Sequence, residues 1–196
     1  MALTESTMLA LGTLAPDFAL PDVAHGRVIT RDGIRDGKPL LAMFISRHCP
    51  YVIHVAKEIA RIGHDYAGRV AIVAIAANDI EGYPEDAPAN MQAMAREYGF
   101  TFPVLYDESQ EVAKAYAAAC TPDFFVFDDA GRLAYRGQLD DARPRNDRPV
   151  TGRDLRAALD AVLARQSPTA DQFPSLGCNI KWRAGNEPTY FHSPKR

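Results

Sequence analysis

The sequence predicts one α/β domain with a central mixed β-sheet flanked by helices. Three observations carry this reading. Two continuous apolar runs, residues 40–46 (LLAMFIS) and 69–77 (RVAIVAIAA), enclose a stretch whose apolar positions recur every three and four residues. A strand–helix–strand succession of that kind closes into a right-handed unit with parallel strands. Further on, the runs 122–128 (PDFFVFD) and 132–137 (RLAYRG) flank the turn DDAG at 128–131, which is the pattern of an antiparallel hairpin. A sheet that contains both kinds of connection is mixed.

Residues 12–38 are punctuated by Gly12, Pro16, Pro21, Gly26, Gly33 and Gly37, so an extended or hairpin approach without a helix is expected there. The run 40–46 is short and apolar at successive positions, as in a strand buried on both faces. From Pro50 the period changes: Val52, Val55, Ala56, Ile59, Ile62 and Tyr66 line one face of a helix. A proline costs nothing in a first helical turn, which places Cys49 at the N-cap. The second strand ends at Asn78 and Asp79, and the loop GYPEDAP follows at 82–88. Its acidic residues Asp79, Glu81, Glu85 and Asp86 lack a metal-loop pattern and read as a solvated loop. A helix over 90–98 ends at Gly99, a short strand covers 102–106, and a helix over 109–118 takes Ser109 as its N-cap. The last helix, 151–165, turns Leu155, Ala158, Leu159 and Val162 inward. The organisation expected is an N-terminal segment (1–11), the domain (12–165) and a polar tail (166–196) that packs on or near it through Phe173, Leu176, Ile180 and Trp182.

Composition narrows the function. With 22 Lys and Arg against 25 Asp and Glu, the net charge of −3 offers no pull toward nucleic acid or an anionic membrane. No apolar run approaches the roughly 18 residues of a membrane span. Glu5 stands where a secretory signal carries positive charge and the first basic residue is Arg27, so a cytoplasmic location is expected. Three cysteines, Cys49, Cys120 and Cys178, are too few for a disulfide scaffold. Their chemistry is what matters.

A strand–helix–strand unit, an intervening segment, a hairpin and a final helix, with a cysteine at the first strand-to-helix junction, is the arrangement of a thioredoxin fold. The segment GTLAPDFALPD (12–22) resembles the N-terminal signature of the AhpC/TSA branch of thioredoxin-like proteins. FISRHC (44–49) occupies the end of the active-site strand, FPVLYD (102–107) follows, and TPDFFVFD (121–128) resembles the family's cis-proline segment. The resemblance covers about residues 12–165, and GCNIKW (177–182) is similar to the tail of a bacterial subgroup that also carries HCPYV and CTPDFF segments.

Only a thiolate is nucleophilic, and a helix N-terminus beside Cys49 lowers its pKa. Arg47 and His48 are expected to add positive potential and help bind substrate. Val52 stands where thioredoxin has its second cysteine, and Ser46 where relatives of the subgroup often carry one, so neither direction yields CxxC. A dithiol cycle within one short motif is therefore excluded. What remains is a thiolate that attacks a peroxide or a disulfide and is then resolved by another thiol. Ser46 matches the hydroxyl position of the peroxiredoxin motif, whereas Ala42 stands where that motif has proline. A hydrogen-bonded strand-end hydroxyl would equally account for Ser46.

The resemblance implies a cis Pro122 that sets the Thr121 backbone against Cys49, where substrates add as a short strand. Cys120, two residues before Pro122, is then the best resolving candidate within the domain, although packing alone would also explain it. Cys178 is a second candidate, in the same chain or across a homodimer. The expected partners are a peroxide or disulfide substrate and a thiol reductant such as thioredoxin or a small thiol, with no prosthetic group or metal. Two readings from other classes stand beside this one. A redox-inactive binding module would use the proline groove alone, and a copper chaperone would use His48, Cys49 and His54 as soft-metal ligands. Reactivity of Cys49 separates the first from the enzyme, and metal content tests the second.

Overall fold

The computed structural model describes residues 3–191. The chain begins with β1 (Leu3–Glu5), then a hairpin of β2 (Ala19–Pro21) and β3 (Val28–Thr30), and the short helix α1 (Arg31–Arg35). The strand–helix–strand unit is β4 (Leu40–Phe44), α2 (Pro50–Asp65) and β5 (Ala71–Ala76). Next come α3 (Pro88–Tyr98), β6 (Val104–Tyr106) and α4 (Glu111–Ala115). The strand β7 (Cys120–Thr121) leads into the hairpin of β8 (Asp123–Phe127) and β9 (Leu133–Gly137), followed by α5 (Arg153–Leu163). The tail supplies β10 (Leu176–Asn179).

The main sheet has the order β6-β5-β4-β8-β9. The strands β4, β5 and β6 run parallel, while β8 is antiparallel to β4 and to β9. The fold is thus the expected mixed sheet, with β4 at its centre and buried along its whole length. Alternation along β4 divides the core into two layers. Leu41, Met43 and Ile45 pack with the apolar faces of α2, α3 and α5, and Leu40, Ala42 and Phe44 pack with Phe18, Leu20, Tyr116 and Ile180 on the opposite side. Among the described residues no helix is long and apolar enough to cross a membrane.

Three local expectations are corrected. Residues 12–38 do contain a helix, α1, because Thr30 caps it by accepting from the Gly33 N–H at 3.2 Å. Gly33 suggests a break in the sequence, yet it permits this cap: a Cβ there would stand 2.8 Å from the Thr30 hydroxyl. Ser109 is not the N-cap of α4. Gln110 holds that position in the left-handed region (φ 66°), and the Ser109 hydroxyl bridges Asp107 and the Glu111 N–H just upstream. In the loop after β5, Glu81 and Glu85 are exposed as expected, but a 3-10 turn at Pro84–Asp86 buries Asp86.

The tail folds back as a structural strand. In a second, three-stranded sheet of order β1-β10-β7, β10 is antiparallel to both neighbours. Ile180 is buried and Trp182 packs against the same layer, edge-on to Tyr190 at 6.4 Å. Phe173 is not an anchor, being 61% exposed. The close fit of β10 requires Gly177, where a Cβ would lie 2.0 Å from the Thr121 carbonyl oxygen.

Candidate active site

Three chain segments meet at Cys49: the turn after β4, the strand β7 and the tail strand β10. Cys49 is the N-cap of α2, with Pro50 in the first turn and no solvent exposure. Its thiol donates to the Thr121 carbonyl at 3.1 Å. The register pairs Thr121 with Cys178, and the Cys178 thiol hydrogen-bonds the Cys49 sulfur. The Cys49 pKa falls to about 6, first because Cys178 donates to it, then through the Thr121 side chain and the backbone N–H groups of Val52 and Cys178; burial opposes the shift. The Thr121 hydroxyl is buried with no other partner, which leaves it available to the thiolate. The same contact drives the Cys178 pKa upward, with burial adding to the rise. The contact therefore favours the thiolate at Cys49 and the protonated thiol at Cys178.

The Thr121–Pro122 peptide is cis. Gly177 and Cys178 lie against this segment, so this edge of β7 is occupied by the protein's own tail. Lys181, only 6% exposed, lies just beyond. Its ammonium donates to the Asn179 carbonyl and side-chain oxygens at 2.7 and 2.8 Å and sits 5.5 Å from the centre of the Tyr83 ring. Burial lowers the Lys181 pKa, and its charge in turn favours the Cys178 thiolate.

Other residues singled out in the sequence take different places. Cys120 is fully buried and its thiol points to the Pro122 carbonyl at 3.6 Å, not to Cys49. Burial and then the neighbouring Asp123 push its pKa well up. The expectation that Cys120 is the best resolver is corrected, because successive side chains of a strand face opposite ways and the Cys49 side of β7 is the Thr121 side. Ser46 does not reach the thiol; its hydroxyl donates to Asp86 at 2.9 Å. Arg47 reaches outward to the Asn90 carbonyl and Glu97. The ring of His48 bonds Asp86 through Nδ1 at 2.8 Å and stacks on Tyr83, with centroids 5.2 Å apart. Cys178 and Thr121, rather than Arg47 or His48, therefore have the leading influence on Cys49 acidity.

Asp86 is the residue that sequence reasoning missed. It is 1% exposed, and besides Ser46 and His48 Nδ1 it accepts from the backbone N–H of Arg47 (2.6 Å) and His48 (3.3 Å) and from Asn78 Nδ2 (2.6 Å). The one available signal was its setting between Pro84 and Pro88, which stiffens the segment. Among the described residues no group of three or more His, Cys, Asp or Glu side chains is placed to hold a metal ion.

Residues 11–136 match the AhpC/TSA family. The chain belongs to that family. The matched segment carries Cys49 and Thr121 but ends well before Cys178, so the thiol that faces Cys49 comes from outside it. Similar solved structures include an uncharacterized conserved protein from Geobacillus kaustophilus, with a TM-score of 0.91 and 52% identity over 93% of this chain and 97% of that one. A hypothetical protein from Sinorhizobium meliloti 1021 gives 0.90 and 50% over 93% and 100%. A curated relative, the thiol-disulfide oxidoreductase ResA of Geobacillus thermodenitrificans (strain NG80-2), is 29% identical over 137 residues, 66% of this chain and 70% of that protein. A secreted disulfide oxidoreductase of Mycobacterium tuberculosis shares the fold, with a TM-score of 0.57 and 17% identity over 74% of this chain and 95% of that one. This AhpC/TSA chain is thus thioredoxin-like in architecture, with a cysteine pair drawn from two distant segments.

Proposed function

We propose that this protein is a thiol-disulfide oxidoreductase in which Cys49 is the nucleophile and Cys178 closes the cycle as its resolving thiol. The observation that carries the reading is the register that sets Cys178 opposite Thr121, whose carbonyl the Cys49 thiol meets at 3.1 Å at the N-terminus of α2. The likeness to a relative named as a thiol-disulfide oxidoreductase supports it. The Cys49 thiolate attacks one sulfur of a substrate disulfide, a mixed disulfide forms and the first substrate thiolate leaves. Cys178 then gives up its proton and attacks the Cys49 sulfur; the Cys49–Cys178 disulfide forms and the second substrate thiolate departs. The proton given up by Cys178 and one taken from solvent end on the two substrate thiols, so one disulfide is reduced as another is made. Two sulfurs hold the whole two-electron change, and no prosthetic group is required. A thiol reductant such as thioredoxin or a small thiol reopens the pair.

A disulfide is favoured over a peroxide because Ser46, the hydroxyl expected to hold a peroxide, is committed to Asp86. Cys49 has no exposed surface, so substrate reaches it when the segment around Gly177 moves off β7. The test is peptide-resolved mass spectrometry of reduced protein exposed to glutathione disulfide or, separately, to hydrogen peroxide. The expected product with glutathione disulfide is a Cys49 mixed disulfide that converts to a Cys49–Cys178 disulfide. A stable Cys49 sulfenic acid with peroxide and no reaction with glutathione disulfide would replace the reading by a peroxidase, and an inert Cys49 under both would leave a binding module.

A further inference from the structure

The carboxylate of Asp86 connects the two halves of the site. On one side it accepts from Ser46 Oγ, the Arg47 and His48 backbone N–H groups and His48 Nδ1, which fixes the turn immediately before Cys49. On the other side it accepts from Asn78 Nδ2, and Asn78 Oδ1 accepts the Lys181 N–H at 2.8 Å. Lys181 lies three residues beyond Cys178. Its carbonyl is held from the same direction, by the Asp79 N–H at 2.8 Å and Gln110 Nε2 at 2.9 Å. The end of β5 and the loop after it therefore grip the nucleophile's turn and the resolving thiol's strand together.

A buried carboxylate is a costly way to fill space, since desolvation must be offset by the bonds it makes. An apolar side chain in this loop would pack without that cost. Here the bonds go to main-chain donors next to Cys49 and, through one amide, to the main chain near Cys178. Resolution depends on an attacking sulfur being aligned on another, so small losses of register reduce its rate steeply.

Resting on the oxidoreductase reading, we propose that Asp86 and Asn78 are positioning residues that hold the tail in register with the Cys49 turn, so that the Cys178 sulfur faces the Cys49 sulfur. Neither touches substrate. They act on the closing step, and through the Cys178 hydrogen bond on the acidity of Cys49.

The experiment follows single turnover with glutathione disulfide, using acid quench and mass spectrometry to separate formation of the Cys49–glutathione mixed disulfide from its conversion to Cys49–Cys178. Asn78→Ala cuts only the link to the tail and leaves the bonds of Asp86 to the turn. It is expected to slow conversion about tenfold or more and to raise the midpoint of the Cys49 alkylation–pH profile, while thermal unfolding stays two-state. Asp86→Asn, whose amide oxygen can keep the main-chain bonds but whose NH2 group then faces the Asn78 Nδ2 donor, is expected to slow conversion as well. Arg183→Ala removes only partly exposed ion pairs with Asp79 and Glu108 on the same stretch of tail, and serves as the unchanged control. If Asp86→Asn does not fold, Asn78→Ala decides. Conversion at the wild-type rate in Asn78→Ala with an unmoved alkylation profile overturns the positioning role and leaves the oxidoreductase reading standing. A wild-type protein that never forms Cys49–Cys178 overturns both.

Discussion

Cys120 and Cys178 lie on hydrogen-bonded neighbouring strands, both beside Thr121, yet they occupy opposite environments. Cys178 is paired in register with Thr121 and faces the Cys49 sulfur, whereas Cys120 is paired with Asn179 and sends its thiol into the core. Nearness along the chain favoured Cys120, one residue from the carbonyl that touches Cys49. The pleat reverses that order, because residues opposite each other on paired strands share a face while consecutive residues do not. A cysteine placed 129 positions after Cys49 thus faces its sulfur, and one placed 71 positions after it points away into the core.

The sharpest test of that contrast is loss of the nucleophile: Cys49→Ser should take disulfide-exchange turnover to background in an insulin or glutathione-disulfide assay. Removing Cys178 comes next. Cys178→Ala should leave the first attack but stall the cycle at the mixed disulfide, lowering turnover about a hundredfold by removing an intramolecular step. It should also raise the midpoint of the Cys49 alkylation–pH profile from about 6 toward an ordinary thiol value, because the strongest stabiliser of the thiolate is gone. The sign follows from chemistry. In the wild-type protein alkylation accelerates as pH rises through about 6 and then levels, since only the thiolate reacts.

Smaller effects should follow from the strand contacts themselves. Gly177→Ala drives a methyl group into the Thr121 carbonyl, and should cost about 1–3 kcal/mol of stability in denaturant unfolding while making Cys49 easier to alkylate. Cys120→Ala should lower stability by about 1 kcal/mol through a small cavity and leave turnover within about twofold. Either a stalled cycle in Cys120→Ala or a normal one in Cys178→Ala would reverse the comparison.

A separate expected signal concerns the start of β8. Asp123 is fully buried, accepts from Ser6 at 2.7 Å, and is raised by burial to about 7. The folded state therefore holds a proton that the unfolded state gives up near pH 4. Stability should fall as pH rises from about 4 to about 7 and be level above that. Asp123→Asn, which has no proton to lose, should flatten that slope in unfolding measured at pH 5 and pH 8.

Much of the fold was legible because it is written in short periods. The 3.6-residue stripe from Val52 to Tyr66 identified α2, the proline at its start placed Cys49 at the N-cap, and the apolar runs on either side identified β4 and β5. The turn at 128–131 gave the β8–β9 hairpin in the same way. Ser46 and His48 are neighbours of Cys49 in the chain, but the direction of their side chains was not readable. A strand end fixes where a residue lies, and the partner that draws its side chain aside, Asp86, comes from a loop 40 positions further on.

What the sequence determined by itself was an α/β domain with a cysteine at the N-cap of its first long helix, for local periodicity and capping depend on residues within a turn or two. Only the tertiary structure decided which thiol faces Cys49, that a loop carboxylate is buried beneath it, and that the tail fills the edge of β7. Those contacts join segments tens to more than a hundred residues apart, and their geometry is set by strand register and by the burial of a shared core, neither of which is written in any one stretch of the chain.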